Sequence, residues 1–316
     1  MKLFAYILGR LGRSLISLVL ILVIVFCLMR LLPTETYFGD RVDKMSEETK
    51  EAILKKYGLT DPIPVQLAKY IKSVFKGDLG DSITYYAGKP VTEVIAPKIS
   101  YSLRFGIVSL AISLVLGIGL GMLMVRCRGH LPDHLGNGFI LFINAVPSAV
   151  YYLLIQFVGT KLLNIGMLYK EGHIATFILP VISMSLGSIA SYAMWTRRYM
   201  LDQVNQDYVA LAKAKGLSSK EIMSKHVWRN SFAPMAQNLP TSIIFTISGS
   251  LYIENLYSIP GTGGLLVAAI QVQDNPLVEA LVMFYAVLSV IGMLLGDLAM
   301  MICDPRISLT KKGGGR

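Results

Sequence analysis

Long apolar runs separated by short polar stretches dominate the chain, in place of the one-sided stripes of surface helices. They fall at residues 11–32, 101–125, 139–158, 175–195, 236–253 and 278–303. Each approaches or exceeds the roughly 20 residues that carry a helix across about 30 Å of hydrocarbon. The pattern predicts an all-α polytopic membrane protein with six transmembrane helices. Arg30 interrupts the first run late, and only Glu279 and Asp297 break the sixth. The first run is too long for a signal-peptide apolar region and lacks a small-residue cleavage site, so it reads as a retained anchor.

Three units follow: the first helix with its tail (1–32), a polar segment (33–100) and a five-helix core (101–316). In the polar segment basic and acidic residues are equal in number. Ser46 reads as the N-cap of a helix ending near Tyr57, with acids in the first turn, Lys55 and Lys56 in the last, and Gly58 closing it. Pro62 and Pro64 predict an extended turn, after which helical spacing resumes over 65–75 through Leu67, Ile71 and Val74. These capped, periodic pieces favour a small folded domain over a solvated spacer. In the second run, Gly117 and Gly121 form a small-xxx-small pattern suited to close helix packing in lipid.

Charge supplies the orientation. The formal net charge is +10 over 316 residues, and the excess sits beside the apolar runs. Lys2, Arg10 and Arg13 precede the first; Arg126 and Arg128 follow the second; a cluster from Arg197 to Arg229 lies between the fourth and fifth; Arg306, Lys311, Lys312 and Arg316 follow the sixth. With six spans all four sets share one side, which predicts cytoplasmic N- and C-termini and an extracytoplasmic 33–100. Translocation bias accounts for the charge, so no nucleic-acid partner is expected. The three cysteines are scattered and give neither a disulfide framework nor zinc spacing.

Residues 201–234 form the longest segment on the basic side. Val204, Tyr208, Leu211 and Lys215 share one face of a first helix; Gly216 sits where a left-handed C-terminal cap belongs; Ser218 and Glu221 have capping-box spacing. A second limb with Ile222, Met223, His226 and Val227 on one side is expected to run until Pro234. From spacing alone, this hairpin is either a packing element closing one face of the bundle or a docking surface.

The string at 207–217, Asp-Tyr-Val-Ala-Leu-Ala-Lys-Ala-Lys-Gly-Leu, resembles the EAA loop of binding-protein-dependent ABC transporter permeases. Further blocks at 57–66, 77–80, 89–95, 254–264 and 304–306 are similar to the oligopeptide, dipeptide and nickel permease subfamily, in its order and over nearly the whole chain. Departures occur at 33–36, where Pro-Thr-Glu-Thr replaces the usual Pro-Gly-Asp-Pro, at 226–229, and at Gly264, where a basic residue is frequent.

The resemblance implies a permease subunit of an ATP-driven importer, non-catalytic itself, in a bacterial inner membrane. It implies partners as well: a homologous second permease, two cytoplasmic ATP-binding subunits and an extracytoplasmic solute-binding protein. No Gly-x-x-x-x-Gly-Lys-Ser/Thr loop occurs, so ATP is expected on the partners and no cofactor on this chain. Coupling to the ATPases is expected through Asp207, Ala210, Ala212, Gly216, Leu217 and Glu221. Glu254, Tyr257, Pro260 and Gly261 are candidates for a gate or rigid connector at the outer mouth. Asp297 is a candidate for the path or for pairing with an Arg on a neighbouring helix. Arg30 and Arg104 read as snorkelling anchors. Peptide is the expected cargo, with nickel the alternative; no His or Cys cluster lines a plausible path. Dispersed histidines argue against an intramembrane enzyme, and the scarcity of midplane charge argues against a self-contained ion-coupled transporter.

Overall fold

The computed structural model describes residues 2–31, 34, 37–38, 45–247 and 250–303. The motifs expected at 33–36 and 304–306 and the basic tail at 311–316 lie outside the described residues. The described chain is helical, its one extended pairing an isolated bridge between Asp81 and Pro90. In order the elements are α1 (Lys2–Arg30), α2 (Glu47–Lys56), α3 (Ile63–Phe75), α4 (Val91–Arg126), α5 (Leu131–Ala145), α6 (Ser148–Leu163) and α7 (Ala175–Val204). Then come α8 (Asp207–Ala214), α9 (Ser219–Glu221), a π-helical turn (Ile222–Trp228), α10 (Arg229–Ile247), α11 (Leu251–Leu256), α12 (Thr262–Gln271) and α13 (Asn275–Cys303).

α1, α4, α7 and α13 are each long and apolar enough to cross a membrane, and α5 with α6 adds a fifth if the bent pair is one span. The 139–158 run is therefore not one straight helix: α5 and α6 meet at 107°. Pro147 is the cause. Its ring disfavours helical backbone at the preceding residue, and Val146 is extended at φ −87°, ψ 130°.

The core is built on α4 against α7. A Cβ on Gly117 would lie 2.7 Å from Tyr192 Cβ, and one on Gly121 2.6 Å from Thr196 Cβ, so the absent side chains are what let the helices touch. Gly119 faces open space. Ser109 Oγ donates to Val181 O at 3.5 Å and Ser113 Oγ to Ser185 O at 3.3 Å. Both partners advance together along the sequence, so α4 and α7 run parallel and α5–α6 carries the chain back between them. α10 returns in the opposite sense: near its start Met235 meets Thr196, and near its end Ile244 shares a cavity with Ser102 of α4.

Two expectations about prolines are corrected. Pro234 does not end the second limb of the hairpin; it lies inside α10 together with Pro240. Packing against α7, α4 and α13 holds α10 together, and the wider π winding just upstream is the local adjustment that lets a helix carry proline. Pro64 likewise sits within the first turn of α3, where no N–H is required, so that helix begins at Ile63. α2 matches its expected caps, with Ser46 Oγ accepting from Thr49 N at 3.3 Å.

Arg30 does more than anchor. Its guanidinium lies 4.4 Å from the Phe26 ring centroid, donates to Gln66 Oε1 at 2.8 Å and reaches Glu279 Oε1 at 3.5 Å, joining α1, α3 and α13. Glu279 is 5% exposed, so this arginine partners an otherwise costly buried carboxylate.

Candidate functional site: a rooted hairpin and a pinned loop

The sequence-derived candidates separate into two groups at opposite ends of α4. Val125 packs with the hairpin and Ser102 with the 254–264 loop; the 23 residue steps between them correspond to roughly 35 Å of helix rise.

At the first end, α8 begins with Asp207, exposed, and presents Ala210 and Leu211 to the outside. Its inward face is Val209 and Ala212 with Tyr208 at the edge, and Leu211 is 56% exposed. This corrects the expected face through Leu211 and Lys215: α7 ends at Val204, and the non-helical break at Asn205 and Gln206 resets the phase before α8 starts. Ala212 packs inside the chain with Val125, Met200, Ile222 and Val227, while Ala210 remains available outside. Gly216 turns the corner at φ +77° with nothing within 4 Å of a notional Cβ. Its role is therefore backbone conformation, since a β-branched residue is strained there. Leu217 follows, exposed.

The capping box forms as the spacing predicts. Glu221 N donates to Ser218 Oγ at 3.3 Å, and Glu221 Oε2 accepts from Ser218 Oγ at 3.0 Å and Ser218 N at 3.4 Å. The Ser218 hydroxyl first, then its backbone N–H and Lys225, hold the Glu221 carboxyl below the usual carboxylate range.

At the other end the loop is closed on itself. Glu254, on α11, is fully buried. Its Oε2 accepts from Gly263 N at 2.7 Å and Gly264 N at 3.2 Å, so a carboxylate from upstream caps the N-terminus of α12. Ser102 of α4 donates to Glu254 Oε1 at 2.7 Å and accepts from Thr262 N at 2.9 Å. Tyr285 of α13 donates to Thr262 Oγ1 at 3.0 Å. A Cβ on Gly261 would collide with Glu254 Oε2, and one on Gly263 would meet Leu251 Cα at 2.8 Å. The glycines thus admit the carboxylate, and Gly264 keeps its amide pointed at it.

Tyr257, 1% exposed, shares a 3.0 Å hydrogen bond with Ser183 of α7, and its carbonyl accepts from Tyr169 N at 2.8 Å. Gln156 of α6 donates to Leu256 O at 3.0 Å. Pro260, partly buried, precedes buried Gly261 at the turn into α12. Asp297 belongs to neither group: it is 6% exposed on α13, about 18 Å of helix rise beyond Tyr285.

Several participants escaped the sequence reading. Ser102 is one serine among many in an apolar run and carried no signal. Asp274 is fully buried, accepts from Thr84 N, Tyr85 N and Leu277 N at 3.1, 2.9 and 3.3 Å and from Ser82 Oγ, and ties 82–85 to the start of α13. An Asp just before Asn275, Pro276 and an apolar run was a legible N-cap signal. Arg197, counted only as membrane-flanking charge, forms a two-pronged pair with Asp133 at 2.7 and 3.1 Å that fastens α5 to α7. Among the described residues no group of three His, Cys, Asp or Glu could hold a metal ion.

Several helices long and apolar enough to cross a membrane, with a polar hairpin exposed at one end and a carboxylate-capped loop buried at the other, fit a multi-pass membrane protein. The chain belongs to the family described as the binding-protein-dependent transport system inner membrane component, which matches residues 113–309. The N-terminal membrane component of the same systems matches residues 3–98. The chain is 33% identical over 306 residues to the dipeptide transport system permease protein DppB of Lactococcus lactis, covering 96% of this chain and 99% of that one. It is 31% identical over 317 residues to the oligopeptide transport system permease protein AppB of Bacillus subtilis, covering 96% and 99%. With the oligopeptide transport system permease protein AmiC of Streptococcus pneumoniae it shares 34% identity over 211 residues, which is 66% of this chain and 42% of that relative.

Proposed function

We propose that this chain is a permease subunit of an ATP-driven peptide importer, forming half of a translocation path with a homologous second permease. Two cytoplasmic ATP-binding subunits supply the energy, and an extracytoplasmic solute-binding protein delivers the cargo. The relatives described above carry dipeptide and oligopeptide names, which favours peptide over nickel.

The topology that fits is six spans: α1, α4, the bent pair α5–α6, α7, α10 and α13. Because α4 and α7 run parallel, a crossing between them is required, which favours a broken span over a re-entrant loop for α5–α6. α10 falls short in apolarity but runs from the hairpin end to the Ser102 end. With the basic flanks inside, both termini are cytoplasmic and α2 and α3 lie in an outer domain.

The single observation that carries the coupling role is the division of the hairpin into two faces. Val209, Ala212, Ile222 and Val227 root it on the ends of α4 and α7, while Asp207, Ala210, Leu211, Gly216 and Leu217 stand exposed. A mere lid would not need an exposed leucine on a capped corner. ATP-driven movement of a docked subunit therefore passes through the root into α4 and α7. The Glu254–Ser102–Thr262 cluster acts as a strut rather than a gate, since its polar atoms are consumed within the chain. The burial of Asp297 supports packing over a path-lining role.

Gly216→Val tests the coupling. Expected are normal membrane abundance, loss of peptide uptake, and ATP hydrolysis no longer stimulated by loaded binding protein. Normal uptake by this variant sinks the assignment.

A further inference from the structure

A cavity of about 530 Å³ opens where the hairpin meets the ends of α4 and α7. Met122 and Arg126 of α4, Met200 of α7, and Lys220, Met223 and Trp228 of the second limb line it. Its chemistry is divided: three thioethers and an indole offer an adaptable apolar floor, and two cations stand with them. Among the described residues no acidic side chain lines it. Arg126 and Lys220 have no carboxylate partner among the ion pairs of the described residues. Arg126 is also the last residue of α4, a 36-residue helix apolar enough to cross a membrane. Between Arg104 and Arg126 the helix carries no charge, so the topology proposed above puts Arg126 and the cavity at the level where hydrocarbon gives way to head groups.

We propose that this cavity binds an anionic phospholipid, with its phosphate held by Arg126 and Lys220 and the head of an acyl chain along Met122, Met200, Met223 and Trp228. Charge complementarity selects the occupant: basic pockets between spanning helices at the membrane surface take acidic head groups, and the apolar floor gives the chain a place a free anion would not use. A protein segment would leave both cations unpaired unless it brought its own acid. The bound lipid braces the hairpin, because Met200 belongs both to the cavity wall and to the cluster that roots α8. Only this last consequence rests on the coupling role proposed above; the binding site does not.

The test uses the intact transporter complex in nanodiscs of phosphatidylcholine containing a photoactivatable phosphatidylglycerol. The expected labels fall on residues 122–126 and 220–228. Labelling should drop about tenfold or more in Arg126→Gln/Lys220→Gln, since each basic residue near the surface contributes roughly a factor of five. Met223→Trp, which fills the cavity and keeps both cations, should lower it as well, separating a built site from general charge attraction. Unchanged labelling in both variants overturns the proposal. Equal labelling of the same residues by a photoactivatable phosphatidylcholine does so too, as does no label there in the intact complex, the result if a partner subunit covers the cavity. Uptake by Gly216→Val is read independently, so failure of either idea leaves the other standing.

Discussion

The two ends of α4 solve opposite problems. At the hairpin end an apolar cluster is the root and the polar atoms are left outside, with short-range caps holding the corner. At the loop end the arrangement is inverted: a buried carboxylate gathers two backbone amides, a serine and, through Thr262, a tyrosine from another helix. A surface that docks a partner has to keep its polar groups free. A strut has to spend them internally, because an unsatisfied buried polar group costs about 1–3 kcal/mol and an unpartnered charge more. The contrast is thus one of available bonding capacity, and it underlies the proposed division into a docking hairpin and a fixed loop.

Glu254→Ala breaks this comparison most severely. It strands the amides of Gly263 and Gly264 and opens a void, and a loss of about 3 kcal/mol or more is expected. Thermal unfolding of the purified complex checks it; a small shift would mean the loop is held by something other than its carboxylate. Next comes the shaft joining the two ends. Gly121→Val drives a methyl-bearing Cβ into Thr196 and should cost about 1–3 kcal/mol, whereas Gly119→Val, which faces open space, should stay within about 0.5 kcal/mol. Equal effects in the same unfolding assay would overturn the packing of α4 on α7.

Ser218→Ala tests the other end at lower stakes. Losing the cap should cost about 1 kcal/mol, confined to the hairpin, and hydrogen exchange should quicken at residues 219–221 while the loop end keeps its protection. Protection lost at both ends would show that they do not behave as separate units. Acidification gives the smallest effect. The folded Glu221 carboxyl sits below its ordinary range, so its contribution is present above the unfolded value and is lost as pH falls through the lower, folded one. Protection of the hairpin amides, relative to their acid-slowed intrinsic exchange, should therefore fall across the interval from the ordinary glutamate range down to the lower, folded value. Protection already lost well above the ordinary glutamate range contradicts the capping box.

Local signals in the sequence reached the hairpin more fully than the loop. Gly216, Ser218 and Glu221 act on neighbours within a turn, so spacing alone placed the corner and the cap. The single face expected through Val204, Tyr208, Leu211 and Lys215 is not kept, because the break after Val204 shifts the helix phase and periodicity cannot be carried across a break. The 254–264 loop was legible only as glycines and a proline around a glutamate. Its partner Ser102 lies 152 residues from Glu254, and nothing about a serine in an apolar run marks it.

The sequence by itself determined the helical, membrane-embedded class, the small-residue seam at Gly117 and Gly121, the caps of α2 and the hairpin, and the basic flanks. Each of these depends on composition or on residues a few positions apart. Tertiary structure decided the rest: the 107° break at Val146 and Pro147 within an apparently continuous run, the passage of α10 through Pro234, and the pairings of Arg30 with Glu279 and Arg197 with Asp133. It also decided the burial of Glu254 against α4. A charge or proline in an apolar run is costly by itself, and whether it is tolerated depends on which neighbour satisfies it. That neighbour is set by how the helices pack.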